Sequence, residues 1–316
     1  MTQSNVSVTT IKEFIIGGIP GLERYEKELF SFFLIVFIVT LLGNLLVFAL
    51  IVLDHRLHTP MYFFIANLAL VDLLTTTTIS PKMLAVLVVH DNVISYPACF
   101  LQMYLFLSSE CTVCFLLAVM AFDRYVAICN PLRYNSIITR NACVLSAAAA
   151  WGCGFSCPVI SIYQSLQLPF CGPNKIHYCF CDFHPVLILA CADTSHVIHL
   201  GLTLALIIIY VPLILVVFSY IKILIAIFRI ASSDGRRKAF STCSSHLLVV
   251  LTFYIASAFV YVILLTNVVS PQSRMLVSLL YCVFTPMVNP LIYSFRNKDI
   301  KSAVRKLIWS INVPPA

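Results

Sequence analysis

The sequence predicts an all-α membrane protein: a seven-transmembrane helix bundle followed by a short amphipathic C-terminal helix. Three observations carry that expectation. The chain of 316 residues is 60% hydrophobic and only 10% charged, with a mean hydropathy of +0.97, whereas soluble domains carry about 25% charged residues. Seven apolar stretches, 29–53, 60–88, 97–129, 142–163, 196–228, 239–265 and 274–295, meet the roughly 20 residues that a helix needs to cross a bilayer core. Finally, Lys and Arg are shared unequally between the two sets of connections.

That inequality sets the orientation. Arg56, Arg124, Arg133, Arg140, Lys222, Arg229, Arg236, Arg237, Lys238, Arg296, Lys298, Lys301, Arg305 and Lys306 fall on one side. Lys12, Arg24, Lys27, Lys82, Lys175 and Arg274 fall on the other. Fourteen against six, accounting for all 20 cations, places the N-terminus outside and the C-terminus in the cytoplasm. The net charge of +7 is then a topology signal, and nucleic acid loses support as a partner. The expected organisation is an extracellular segment over 1–28, a seven-helix domain over 29–295, and a cytoplasmic amphipathic helix and tail over 296–316.

The elements follow in order. The first residues, MTQSNVSVTTIKEF, are polar and lack the basic-then-apolar layout of a cleavable signal peptide, so the first apolar segment is expected to target and anchor the chain. Asn5, in NVS, is a glycosylation acceptor on the outer face. Gly, Pro, Ser and Thr recur within the apolar segments, as membrane helices tolerate. The third segment begins near Cys99, on the same face as the 32-residue connection between the fourth and fifth helices, which holds Cys171, Cys179, Cys181 and Cys191. That compartment is oxidising, and five thiols allow fifteen ways of forming two bridges with one left over. The CFC spacing is wrong for structural zinc. In NKDIKSAVRKLIW, Ile300, Val304, Leu307 and Ile308 oppose Lys298, Lys301 and Arg305, which suits a helix lying on the anionic inner leaflet lipid.

Four of the charges inside the apolar segments call for an account of their own. Asp123 and Arg124 end the third helix at the cytoplasmic side, where Arg can snorkel to water. Glu110 lies fourteen residues earlier; at about 100° per residue this brings it within roughly 40° of Arg124's azimuth. At about 1.5 Å per residue it is some 21 Å further out. It therefore faces the bundle interior near mid-membrane. Three readings stay open: a counter-ion for a basic ligand, a protonated and hydrogen-bonded carboxyl, and an ion or water role. Asp72 lies mid-membrane in the second segment with Asn44, Asn289 and Ser294 as candidate neighbours. An intramembrane carboxylate is a functional candidate by default.

Other functions find less support. The Ser, Cys and His residues form no recognisable catalytic motif, so an enzyme is not expected. A retinal-binding protein needs a Schiff-base Lys in the last helix, and 274–295 contains none. No internal repeat of the kind found in many transporters is evident.

A series of motifs is more specific: Gly43-Asn44, LHTPMYFFIANLALVD from Leu57, MAFDRYVAICNPLRY from Met120, SYIKIL from Ser219, RRKAFSTCSSHL from Arg236, and PMVNPLIYSFRNKDIKSAVRK from Pro286. In that order they resemble vertebrate olfactory (odorant) receptors, a branch of the rhodopsin-like G-protein-coupled receptors, from about Gly18 to Lys306. The resemblance implies a small hydrophobic volatile ligand bound within the bundle, and a stimulatory G protein that raises cAMP in olfaction. It also implies the plasma membrane of olfactory cilia as the location. It pairs Cys99 with Cys181 and Cys171 with Cys191, leaving Cys179 odd.

By the same resemblance, Asp123 holds Arg124 at rest, and activation frees Arg124 to meet Tyr220 and Tyr293. Tyr125, His246, Asn289 and Pro290 belong to the same G-protein-coupling motifs. Pocket positions carried over are Met103, Phe106, Leu107 and Glu110 on the third helix, and Leu204, Ile208, Tyr254, Ser257, Tyr261 and Leu279 on the fifth to seventh. No other cofactor is implied than a sodium ion at Asp72. The Glu that usually assists it is replaced here by Val113, with Glu110 almost a turn outward.

Overall fold

The structure, a computed structural model, describes residues 11–19, 21–266 and 271–312; within these, the side chains of 238, 242, 261–266, 271, 274 and 308–312 lie outside the description. Eleven α-helices are described: α1 Glu26–Leu53, α2 Pro60–Val89, α3 Tyr96–Cys129, α4 Tyr134–Ile137, α5 Arg140–Ser156, α6 Val159–Leu166, α7 Phe183–Leu187, α8 Ser195–Phe228, α9 Ser233–Thr266, α10 Pro271–Arg296 and α11 Lys298–Asn312. Seven spans are long and apolar enough to cross a membrane: α1, α2, α3, α5 together with α6, α8, α9 and α10. Leu42 on α1 and Ile214 and Phe218 on α8 are exposed, an outer surface that suits acyl chains.

The expected fourth helix, 142–163, is two helices. Pro158 has no N–H for the Gly154 carbonyl and crowds the preceding turn, so α5 stops at Ser156 and α6 restarts at Val159. Other starts follow ordinary capping. The Ser95 hydroxyl accepts the Ala98 N–H at 3.4 Å and Thr139 accepts Ala142 N–H at 3.2 Å, each satisfying one of the unpaired donors of a first turn. Within the spans, Thr40, Thr75, Thr76, Ser109 and Thr112 donate to the carbonyl four residues back at 2.6–3.1 Å. Their hydroxyls are thus satisfied inside their own helices.

Close helix contacts rest on two glycines. A Cβ on Gly154 would lie 2.0 Å from Thr112 Oγ1 and 2.9 Å from Thr112 Cα, so α5 meets the α3 backbone there. A Cβ on Gly43 would lie 3.1 Å from Pro290, where α1 meets α10. The adjacent Asn44 explains the pairing further. Pro290 has no N–H to give the Pro286 carbonyl, four residues back on the helix; Asn44 Nδ2 donates to that carbonyl at 3.0 Å instead, and to Thr40 O at 3.0 Å.

The apolar interior forms two clusters. One, containing Leu57, Leu68, Leu117, Met120, Ile223, Phe253 and Tyr293, fills the cytoplasmic half. The other, containing Phe33, Met83, Met103, Phe106, Phe180 and Leu279, fills the extracellular half.

The expected outer segment, 1–28, contains a strand that its sequence does not announce. β1 Glu13–Ile16 is the central strand of a small sheet, antiparallel to β2 Val93–Ser95 and parallel to β3 Lys175–Ile176. Phe14 and Ile16 point inward and are fully buried, Phe14 against Tyr96 and Phe170. A four-residue strand carries too little alternation to announce itself, and its partners are distant in sequence. Both implied bridges form, Cys99–Cys181 with Cα atoms 5.4 Å apart and Cys171–Cys191 with 5.9 Å. Cys179 is free and buried, its thiol 3.4 Å from the Gly18 carbonyl. Gln102 pins the bridged loop: its side chain accepts the Cys181 N–H at 2.9 Å and donates to Thr78 O at 2.8 Å.

At the other end, the Asn297 side chain accepts N–H bonds from Asp299 and Ile300 and starts α11. The Tyr62 hydroxyl of α2 reaches Asn297 Oδ1 at 2.9 Å and Asp299 Oδ2 at 2.7 Å. Ile300 and Ala303 are buried and Val304 half-buried, with Lys298, Lys301 and Arg305 exposed. Leu307 is exposed, as a residue facing lipid would be, and the Ile308 side chain lies outside the description. Asn5 also lies outside the described residues.

Two outcomes are expected. Cys99→Ser and Cys181→Ser should lose surface expression, whereas Cys179→Ser should keep it in a flow-cytometric assay; equal tolerance of all three contradicts the bridge's structural role. Gly154→Leu should lower surface delivery, since overpacking typically costs about 1–3 kcal/mol, and pairing it with Thr112→Ala should recover part of the loss.

Candidate functional site

Asp123 and Arg124 close the cytoplasmic end of α3, and both are buried. Arg124 donates to Asp123 Oδ2 through Nε at 2.8 Å and also through Nη2. The other carboxylate oxygen, Oδ1, accepts the Tyr134 hydroxyl of α4 at 2.7 Å. Burial raises the Tyr134 hydroxyl's pKa, with the neighbouring Asp123 charge adding to the effect, so Tyr134 remains a donor. Tyr134 was visible only as the last letter of a motif; nothing in its spacing announced a bond to Asp123.

Neither Tyr220 nor Tyr293, the partners named for Arg124, bonds to it among the described residues. The Tyr220 hydroxyl pairs with His246 Nδ1 at 2.6 Å, joining α8 to α9. The Tyr293 hydroxyl on α10 is buried without a hydrogen-bond partner among the described residues. Pro290 packs on α1 as described, and Tyr125 is half-buried, its ring 6.3 Å from Phe122.

Asp72 is buried and accepts a hydrogen bond from Asn289 Nδ2 at 2.9 Å. Asn44, offered above as a neighbour, is engaged at Pro286 instead, and no bond from Ser294 to Asp72 is found among the described residues. Val113, where the resemblance places an assisting carboxylate, is apolar and buried. One carboxylate beside one amide makes an incomplete donor set for sodium, which takes several oxygens. The residues present fit that ion poorly.

The outer site is built around Glu110. Tyr281 of α10 donates to Glu110 Oε2, and Ser257 of α9 lies 3.0 Å from the Tyr281 oxygen and 2.8 Å from its own Phe253 carbonyl. Three helices therefore meet in one polar chain. Tyr281 packs against both apolar clusters, so this chain lies at the seam between the two halves of the bundle. The sequence pointed to Glu110 and Ser257 but not to Tyr281, whose hydroxyl is the link; a lone Tyr three residues before Phe284 in an apolar helix carries no pattern of its own.

Met103, Phe106 and Leu279 are buried together in the outer cluster with Leu107 against it. Tyr254 and Ile208 belong to the inner cluster. The Tyr254 hydroxyl is buried without a partner among the described residues. Leu204 is half-buried and joins neither cluster, and the side chain of Tyr261 lies outside the description. The bridged loop closes the outer side: Phe180 packs edge-on against Phe106 at 5.4 Å and against Tyr178 at 4.9 Å. Asp182 on the same loop caps α7 by accepting the Phe183 N–H at 2.8 Å. Burial pushes its carboxyl up to about 6, against the pull of that backbone bond.

The comparisons agree with this architecture. The family model described as olfactory receptor matches residues 33–310. Human olfactory receptor 2A12 is 45% identical over 304 residues, spanning 95% of this chain and 97% of its own. Human olfactory receptor 10A7 is 44% identical over 300 residues, 95% of each chain. Among solved structures, squid rhodopsin superposes with a TM-score of 0.74 at 16% identity, covering 93% of this chain and 87% of its own; at that identity the likeness shows the fold. With seven apolar spans, two bridged cysteine pairs and a family match over most of its length, the chain is a multi-pass membrane protein that belongs to the olfactory receptor family.

Proposed function

We propose that this receptor binds a small hydrophobic odorant between α3, α8, α9 and α10 in the outer half of the bundle and activates a stimulatory G protein that raises cAMP. It does so at the plasma membrane of olfactory cilia, with a glycan on Asn5. The observation that carries the reading is the closed Asp123–Arg124–Tyr134 lock, with Tyr220 held by His246. This is the resting half of a two-state device. Ligand binding favours the state in which Arg124 leaves Asp123 for Tyr220 and Tyr293, to the extent that the ligand binds that state better.

The ligand contacts are mostly apolar and aromatic with a few hydroxyls, a lining suited to a small volatile. The reading holds no ion step: Asn289 Nδ2 donates to Asp72 Oδ2, and the Val113 side chain supplies no oxygen. Its organisation follows the three regions given above: outer segment, seven-helix domain, and inner helix on lipid.

Three measurements test it. Arg124→Ala should abolish ligand-evoked cAMP in transfected cells while leaving surface expression largely intact; a preserved response removes the lock from the mechanism. Tyr134→Phe deletes one hydrogen bond to a buried carboxylate, worth about 1.5–3 kcal/mol, and should raise ligand-independent cAMP several-fold. Replacing external sodium with choline should leave the ligand concentration–response curve in place; a marked shift assigns the ion a role at Asp72.

A further inference from the structure

Between the outer ends of α1 and α2 lies a groove holding a cavity of about 220 Å³. Its lining is sorted by depth. α1 enters the membrane from Glu26 and α2 leaves it at Val89. Glu26, Lys27 and His90 therefore form the rim, and Phe30, Leu87 and Val88 lie within one helical turn below it. The rim carries both signs. His90 Nδ1 stands 3.8 Å from Glu26 Oε2 across the groove, and Lys27 makes no ion pair among the described residues. The level below is apolar: Leu87 is buried, Phe30 half-buried and Val88 51% exposed. The Ser31 hydroxyl at that level donates to the Lys27 carbonyl at 2.9 Å.

The backbone and the deeper helix face narrow the occupant. His90 has a φ of +51°, in the left-handed region that side chains other than Gly rarely enter. It ends α2 and brings the imidazole to Glu26 of α1. Below the groove, the half-buried Leu34 and Phe37 extend the Phe30 face of α1 at i, i+4 and i+7. At about 1.5 Å per residue this stripe runs some 10 Å into the bilayer. An occupant thus needs a head bearing both charges at the water interface and a hydrocarbon chain running inward. Lys27 and the His90 ring suit a phosphate, and Glu26 suits an ammonium. A head with negative charge alone leaves Glu26 without a cation. Acyl chains confer no preference by themselves, since lipid tails are as apolar as the helix faces. Selection rests on the rim.

We propose that this groove binds a zwitterionic phospholipid of the outer leaflet. Its phosphate lies at Lys27 and His90, its ammonium at Glu26, and one acyl chain along Phe30, Leu34 and Phe37. The lipid fastens the outer end of α1 to that of α2. This site is separate from the odorant site; it rests on the outward N-terminus and not on the identity of the odorant.

The test uses full-length receptor purified in detergent. It is incubated with equal amounts of dioleoylphosphatidylcholine, dioleoylphosphatidylglycerol and dioleoylglycerol, and bound lipid is read by native mass spectrometry. The wild type should retain phosphatidylcholine over phosphatidylglycerol roughly threefold, the scale of one partly exposed ion pair. Glu26→Gln should erase that preference. Lys27→Gln should lower retention of both phospholipids and leave dioleoylglycerol unchanged. His90→Asn, which keeps a residue tolerant of the left-handed backbone, should weaken phosphatidylcholine retention, and carries the criterion if Glu26→Gln cannot be purified. A phosphatidylcholine with a photoreactive acyl chain should crosslink within 30–37. Excess soluble glycerophosphocholine should leave the lipid bound; displacement by it assigns the groove to a free head group and overturns the proposal. Equal retention of the three lipids, an unchanged ratio in the rim variants, or crosslinks confined to other helices overturns it as well.

Discussion

Within a bilayer core no water is at hand, so each polar group inside the spans must be satisfied by the protein, at a cost of several kcal/mol where it is not. That constraint organises this bundle. The hydroxyls of Thr40, Thr75, Thr76 and Thr112 turn back onto their own helices. The carbonyl freed by Pro290 is covered by Asn44 from another helix. Three carboxylates within the spans, away from their first turns, each find a different solution: Asp123 in Arg124 and Tyr134, Asp72 in Asn289, Glu110 in Tyr281. Each solution ties two or more elements together, so satisfying the polar groups and fixing the helix arrangement are one act. A bond of this kind can be exchanged for another without water entering, which is what a switch inside a membrane requires.

Much of this was legible in the sequence because the bilayer is a simple solvent. Length and hydropathy located all seven spans, and cation counts oriented them. Where the limits moved, a local cause is visible, as at Pro158, which split the fourth span into α5 and α6. The azimuth of Glu110 followed from helical period alone, and its inward placement holds. What periodicity could not deliver were contacts whose two halves are remote and individually unremarkable. Tyr281 is one of 14 tyrosines, and only the crossing of α3 and α10 brings it to Glu110. Asp182 lies on a loop without period, and β1 depends on partners about 80 and 160 positions away. Asn44 was misassigned for a related reason. Its motif marks the α1–α10 contact correctly, but a proline on the other helix decides which acceptor it serves.

The outer and inner sites share α3, α9 and α10, and the polar bonds along α10 are unequal in kind. On α10, Tyr281 is tied to α3 through Glu110 and Asn289 to α2 through Asp72, while Tyr293 holds no hydrogen bond among the described residues. Pro286 and Pro290 lie between the first and last of these, each removing a backbone hydrogen bond that would otherwise stiffen the helix. A group that competes for Glu110 therefore acts on the fixed end of a segment whose interior is softened and whose far end carries an unsatisfied hydroxyl. Any rearrangement that gives Tyr293 a partner lowers the energy of the buried hydroxyl, and Arg124, bonded here to Asp123, has donors to offer it. The coupling needs no continuous wire of contacts. It needs one helix with two arrangements, and an interaction at each end that prefers one of them.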